Sequence, residues 1–356
     1  MRPSDPRARD GVSRFSFSLL KLICMSKPRI AFVTGGYSSE AVISYKSAVT
    51  IDRHLDRDRY EVYRVDITPE GWFHPHADGK RYPIDKSDFS LDLPEGHVSF
   101  DAAFIGIHGT PGEDGRLQGY FDMVGLPYTS CDAATSAITF NKRYTVAVAA
   151  FSGIHVARSL HLFQHSPVPE TDILQGLRLP FFVKPNNGGS SIGMSRVNTA
   201  DQLGPALEKA FREDDQVLVE EYIAGREFTI GVFRSEGEIV TLPFTEIMSQ
   251  NEFFDFEAKY QGKSSEQTPA DCPEDMAERI RAAARKVYAV FNCRGIVRMD
   301  FIVEQASGEP FLLEINTVPG QSEMSIVPQQ VRVLGWSLTD FYTRLVEEAL
   351  QRSKNA

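Results

Sequence analysis

The chain has 356 residues, 42% of them apolar and 24% charged, with a formal net charge of −10. This length predicts two or three domains. The acidic balance argues against nonspecific nucleic-acid binding, and no apolar run approaches the ~18–20 residues of a membrane span.

Four cysteines (Cys24, Cys131, Cys272, Cys293) lie far apart with no CxxC pair. They suggest a reducing cytoplasm rather than a disulfide framework or zinc site. Met1–Lys21 is basic and serine-bearing, and Phe15–Cys24 is mildly apolar. Lys21, and Ile23 before Cys24, weaken a signal-peptide reading. Met25 opens MSKPRIAFVTGG on a buried-strand pattern. Residues 1–28 therefore read as a disordered extension or the product of an upstream start codon.

Arg29–Thr34 is an apolar strand ending at Gly35-Gly36, followed by a helical stretch to about Leu55. Strand, glycine turn and helix open a doubly wound unit, with a ligand expected at the strand's carboxyl end. GGYSSE is not GxGxxG, so a dinucleotide reading is weak. Glu61–Asp66 and Asp101–Ile107 read as further strands, the latter running into the glycine-rich loop His108–Gly115. Thr68 to Gly96 reads as a surface excursion. Ala137, Phe140, Tyr144 and Val148 predict one helix over Asp132–Phe151, stopped by Gly153.

Phe181–Lys184 and Ile192–Val197 are expected strands around a flexible loop, PNNGGSS. Lying between strands, this loop lacks the helix N-terminus of a P-loop. Its backbone and hydroxyl donors still suit a phosphate, although a plain surface hairpin competes with that reading. Lys184, drawn partly inward after FFV, needs an anionic partner. Leu203–Phe211 is a helical stripe after a Thr199 cap. Val217–Glu221 and Glu227–Phe233 are strands. Phe253–Tyr260 reads as a lid loop able to exclude water. Helices run through Met276–Phe291 and Leu338–Ala349.

The chemistry concentrates in IVRMDFIVEQASGEPFLLEINTVPG, from Ile296 to Gly320. Its apolar runs Ile296–Val303 and Phe311–Asn316 predict an antiparallel hairpin about Ser307. Side chains alternate faces along a strand. Asp300 then opposes Glu314 and Arg298 opposes Asn316, while Phe311, Leu313 and Ile315 turn to a core. Two carboxylates this close need a proton or a cation between them, and all-oxygen donors favour Mg²⁺ shared with water and phosphates. An exposed charged face without metal is the competing reading.

Taken in order, GGYSSE, HGTPGEDGRLQGYFDMVGLPYTS, FNKRYT, VKPNNGGSSIGMS, VEEYIAGREFTI, FEAKY, VRMDF and LEINTVPG resemble the D-alanine–D-alanine ligases of the ATP-grasp superfamily. The resemblance runs from about Arg29 to the C-terminus. It implies an α/β three-domain ATP-grasp fold with an N-terminal Rossmann-like domain. The expected bounds are 29–130 for the substrate domain, 131–215 for the central subdomain and 216–356 for the C-terminal subdomain with metal site and lid.

In that likeness Lys142, Lys184 and Lys259 match phosphate-contacting lysines. Glu220, Tyr222 and Ile223 match the adenine hinge, and Glu227 the ribose carboxylate. Asp300, Glu314 and Asn316 match the ligands of two Mg²⁺ ions, with Mn²⁺ a substitute. Arg298 matches the arginine on the transferred phosphate. Glu40, Ser190 and Tyr260 match a triad that holds the first D-alanine and ties down the lid. His108 matches a histidine near that substrate, and Gly320, Ser325 and Ile326 lie where the second D-alanine is positioned.

The implied reaction joins two D-alanines through D-alanyl phosphate, with release of ADP and phosphate, in a cytoplasmic homodimer serving peptidoglycan synthesis. Phe254, Phe256 and Met324 depart from commoner family residues. D-lactate or D-serine as acceptor is the alternative chemistry, with Tyr260 favouring the dipeptide. An inactive nucleotide-binding regulator would have lost a metal ligand or phosphate lysine, and none is missing.

Overall fold

The computed structural model describes residues 27–188, 192–249 and 264–353. Its first sheet contains β1 (Arg29–Gly35), β2 (Glu61–Thr68), β3 (Gly71–Pro75), β4 (Arg81–Asp85), β5 (Ser90–Leu93), β6 (Gly96–Val98) and β7 (Ala102–Ile105). The order is β6-β5-β4-β3-β2-β1-β7. Strand β1 pairs in parallel with β2 and β7. It is apolar on both faces because both are covered: Ile30 and Phe32 enter one core, Ala31 and Val33 another. Helix α1 (Ala41–His54) packs on the first face through Ala48 and Ile51, and α2 (Arg116–Val124) on the second through Leu117 and Phe121.

The interval expected to be a surface excursion is instead β3–β6, four strands that extend this sheet antiparallel. Alternation there is short and broken by turns, but Phe89 and Leu91 are buried. The single helix expected over Asp132–Phe151 is two, α3 (Ala133–Phe140) and α4 (Lys142–Phe151). Asn141 breaks the run: its backbone is extended, and its side chain accepts from the Tyr144 N–H as the N-cap of α4.

The central sheet has the order β10-β9-β11-β8, from β8 (Ser159–Phe163), β9 (Phe181–Pro185), β10 (Ser195–Val197) and β11 (Gln216–Glu221). The expected strand from Ile192 begins only at Ser195; Ile192 lies in an exposed turn. Helices α5 (Glu170–Gly176) and α6 (Leu203–Phe211) cover the sheet through Ile173, Leu203 and Ala206. Thr199 caps a short 3₁₀ turn, Ala200–Gln202, through a capping box, and α6 follows that turn.

The third sheet is built from β12 (Gly225–Ser235), β13 (Glu238–Thr241), β14 (Thr245–Ser249), β15 (Ser264–Gln267), β16 (Val297–Glu304) and β17 (Pro310–Asn316). Its order is β15-β14-β12-β16-β17, with β13 on β12. Strand β16 alternates without a break: Val297, Met299, Phe301 and Val303 are buried. They share a core with Ile280, Ala284 and Val287 of α7 (Glu274–Val290). The opposite face is left to Arg298 and Asp300.

After α8 (Ile326–Val333), α9 (Leu338–Ser353) packs Phe341, Tyr342 and Leu345 into the core of the first sheet, which also takes Phe233 of the third. Tyr342 meets the Phe104 ring at 5.5 Å. Among the described residues no helix is long and apolar enough to cross a membrane.

Candidate active site

The β16–β17 register places Asp300 opposite Glu314 and Arg298 opposite Asn316, as alternation predicts. Between Asp300 and Phe301 the register slips, so Phe301 pairs with Leu312 and Leu313 is an extra residue. This corrects the expected core face: Leu312 is buried there, and Leu313 lines the cavity.

Arg298 grips Asp300 with two bonds, Nε to Oδ1 at 3.0 Å and Nη2 to Oδ2 at 2.8 Å. Its Nη2 is 3.9 Å from Glu314 Oε1. Thr229, opposite Asp300 on β12, donates its hydroxyl to Asp300 Oδ1. Asn316 Oδ1 accepts the Val318 N–H at 3.0 Å.

A cavity joins this patch to the other two sheets. Arg298, Glu314, Asn316 and Gly320 form one wall, with Lys142, Lys184 and Glu220 facing them. The first domain contributes Glu40, His108 and Glu113. Lys184 is drawn inward as expected, and its anionic partner is Glu220 at 2.7 Å on neighbouring β11. Lys142 sits at the start of α4 and donates to the Gly188 carbonyl at 2.7 Å. Burial lowers the Lys142 pKa, opposed by the nearby Glu314 carboxylate.

Glu40 and His108 lie beyond the carboxyl ends of β1 and β7, the crevice expected of a doubly wound sheet. Gly109, at φ +66°, lets the backbone after His108 pass close to Glu40 and Ser38: a Cβ there would clash with Glu40 Oε2 and stand 2.7 Å from Ser38 Oγ. Glu113 is a residue that sequence reasoning misses. Burial, then the nearby Glu40 charge, pushes its carboxyl up to about 8, although the Gly109 N–H donates to it. Its one signal is the glycine-rich HGTPGEDG loop. Thr229 has none, because the β12–β16 register is not readable locally.

Asp300, Tyr222, Ile223 and Glu227 do not line the cavity: Asp300 is held against Arg298 and Thr229, and the other three occupy the link out of β11 and the start of β12. Ser325 and Ile326 also lie outside its wall, although Ser325 Oγ is 2.9 Å from where a Cβ on Gly320 would stand. Ser190, Lys259 and Tyr260, with the rest of the expected lid, lie outside the described residues.

Among the described residues no three His, Cys, Asp or Glu side chains form a metal cage. Two carboxylates and one amide oxygen fit a hard cation that takes its other ligands from phosphate and water. A cavity that brings Glu314 and Asn316 together with Arg298, Lys142 and Lys184 suits phosphoryl transfer to a carboxylate, and this architecture is that of the ATP-grasp ligases.

Models of the D-ala D-ala ligase N-terminus and C-terminus match residues 29–131 and 142–347. A D-alanine–D-alanine ligase of Parabacteroides distasonis is 44% identical over 328 residues, 92% of this chain and 99% of the relative. One from Flavobacterium johnsoniae is 42% identical over 321 residues, 90% and 99%. Among solved structures, D-alanyl-alanine synthetase A from Vibrio cholerae superposes with a TM-score of 0.82 at 30% identity, covering 92% of this chain and 99% of that one. The VanG D-Ala:D-Ser ligase of Enterococcus faecalis gives 0.81 at 28%, covering 91% and 99%. The chain belongs to the D-alanine–D-alanine ligase family.

Proposed function

We propose that the cavity between the three sheets joins two D-alanines at the expense of ATP, yielding D-alanyl-D-alanine for peptidoglycan precursors. The observation that carries this reading is that Arg298, Glu314 and Asn316 share one cavity with Lys142 and Lys184, with Asp300 held directly behind Arg298.

The carboxylate of the first D-alanine attacks the γ-phosphorus, and the bond from that phosphorus to the β,γ-bridging oxygen breaks. D-Alanyl phosphate and ADP result. The amine of the second D-alanine then attacks the acyl carbon, the acyl C–O bond breaks with its electron pair going to the departing phosphate, and that phosphate takes up the proton lost by the amine. Both first-step reactants are anions, so charge neutralisation dominates the barrier. Lys142 and Lys184 hold phosphate oxygens, and Arg298 reaches the transferred group.

Asp300, Glu314 and Asn316 are the proposed ligands of two Mg²⁺ ions, for which Mn²⁺ can substitute. When bound, the metal neutralises and orients the phosphates. Glu220, Tyr222 and Ile223 are assigned to adenine, and Glu227 to ribose. Glu40 and His108 are assigned to the first D-alanine, and Gly320, Ser325 and Ile326 to the second. Ser190, Lys259 and Tyr260 complete the assignment as lid and triad residues.

The first sheet supports the bounds 29–130, while the central sheet runs through β11 to Glu221, which places the proposed division between the central and C-terminal subdomains after 221 rather than at 215. A homodimer in the cytoplasm, where ATP and D-alanine meet, completes the proposal; sedimentation velocity tests the dimer. The reaction is tested by phosphate release from Mg-ATP with D-alanine and by isolation of the dipeptide. L-Alanine should give neither, and equal turnover of both enantiomers would refute the reading.

A further inference from the structure

Ser47 lies in the middle of α1, 1% exposed, and does not line the cavity. It nevertheless touches two segments that do. Its Oγ is 3.0 Å from His108 Nε2 and accepts the Gln321 N–H at 3.1 Å. One turn earlier, Ser44 Oγ accepts the His108 N–H at 2.9 Å. The imidazole also donates to the Val318 backbone.

These contacts fix every proton. A serine hydroxyl has one hydrogen to give and two lone pairs. The Gln321 N–H occupies one lone pair and leaves the Ser47 hydrogen available to His108. The ring gives its own hydrogen to Val318, leaving Nε2 as the acceptor. Burial keeps the ring neutral, lowering its pKa to about 4. Both imidazole nitrogens are thereby committed to protein atoms, so His108 meets the cavity with carbon edges and acts by shape.

The segment held in this way leads to the proposed acceptor loop. Val318 donates to Asn316 Oδ1, Gln321 Nε2 donates to the Pro319 carbonyl at 3.1 Å, and the Tyr342 hydroxyl donates to Gln321 Oε1 at 3.2 Å. Beyond Gln321, Ser322 Oγ and Ser325 Oγ are 2.7 Å apart.

We propose that Ser47 is a positioning residue for the second half of the reaction: through His108 and Gln321 it hangs the Val318–Ser325 loop, and with it the acceptor amino acid, on the helix that carries the donor's Glu40. The inference rests on the ligase reading above. Removing the hydroxyl leaves the Gln321 N–H and a histidine nitrogen buried without partners, so the loop shifts while the phosphate wall stays in place.

The experiment is steady-state kinetics over a D-alanine range wide enough to resolve the donor and acceptor Michaelis constants. Ser47→Ala should raise the acceptor constant about tenfold; because Ser44 and Val318 still hold His108, the donor constant should change several-fold less, and the ATP constant should stay within about twofold of wild type. Ser47→Thr, which keeps the hydroxyl, should recover most of the loss. Should Ser47→Ala not yield folded protein, Ser47→Cys, of similar volume but a weaker donor, is read in the same way. An unchanged acceptor constant, or a parallel rise in all three constants, overturns the proposal. Wild-type protein that forms no dipeptide would instead overturn the ligase reading itself.

Discussion

At the scale of single residues, charge placement decides the chemistry. Glu314→Ala should lower dipeptide formation by at least about a thousandfold, because a transition-state charge clamp is removed. Its urea unfolding midpoint should stay close to wild type, since the Glu314 side chain is 41% exposed and packs in no core. Near-normal turnover would exclude the metal assignment. Chelation with EDTA should abolish turnover and added Mg²⁺ restore it.

Glu113 gives a pH signature. Its folded-state pKa is raised to about 8, above the ordinary carboxyl value of 4.5. Its contribution to stability is therefore complete below about pH 4.5 and lost as pH rises through 8. Glu113→Gln keeps an acceptor for the Gly109 N–H but cannot ionise. Its stability relative to wild type should rise by about 1–3 kcal/mol between pH 6 and 8, measured by urea denaturation without added metal. Parallel pH curves would show that this carboxyl is already ionised at pH 6.

At the scale of elements, the hairpin is legible in the sequence because polar and apolar residues alternate along β16 and most of β17 and the turn is short. Alternation puts Asp300 and Glu314 on the same face of the hairpin, and folding about Ser307 pairs them. The bulge is not legible: Leu312 and Leu313 are chemically alike, and only the α7 core on one side and the cavity on the other distinguish them. The difference is testable. Leu312→Ala should cost about 2–5 kcal/mol of stability by leaving a core cavity. Leu313→Ala should cost less than about 1 kcal/mol, as for residues outside a packed core, and should raise the ATP Michaelis constant.

Asn141 shows the opposite case. Apolar spacing runs through the α3–α4 break undisturbed, and a periodic pattern cannot report a cap that interrupts it. Strands β3–β6 escape notice for a different reason: each is only 3 to 5 residues long, too short for alternation to stand out. The polar loop after β9 reads correctly as a connection between strands, while the lid residues carry the family likeness alone.

At the scale of the molecule, no sheet holds the site alone. The first supplies Glu40, His108 and Glu113, the second Lys184 and Glu220, the third Arg298, Glu314 and Asn316. Helix α9 ties the first sheet to the third, and Tyr342 is fully buried where they meet. Tyr342→Ala should cost about 3–5 kcal/mol, as for other buried aromatic truncations, and should lower the unfolding midpoint of the whole protein. Loss confined to one region, as seen by hydrogen exchange, would show that α9 does not couple the two sheets.

The extra residue at Leu313 also bears on which length variants of this chain can exist. Successive strand residues point to opposite faces, and β17 interrupts that alternation only at Leu313, which shares the cavity side with Glu314. Deleting Leu313 would leave composition and hydropathy almost unchanged and keep Glu314 against Asp300 and Leu312 against Phe301 in regular alternation. Viable deletions in this hairpin should accordingly fall at Leu313 or in the turn around Ser307 and Gly308, where a change in length leaves the facing of both strands intact.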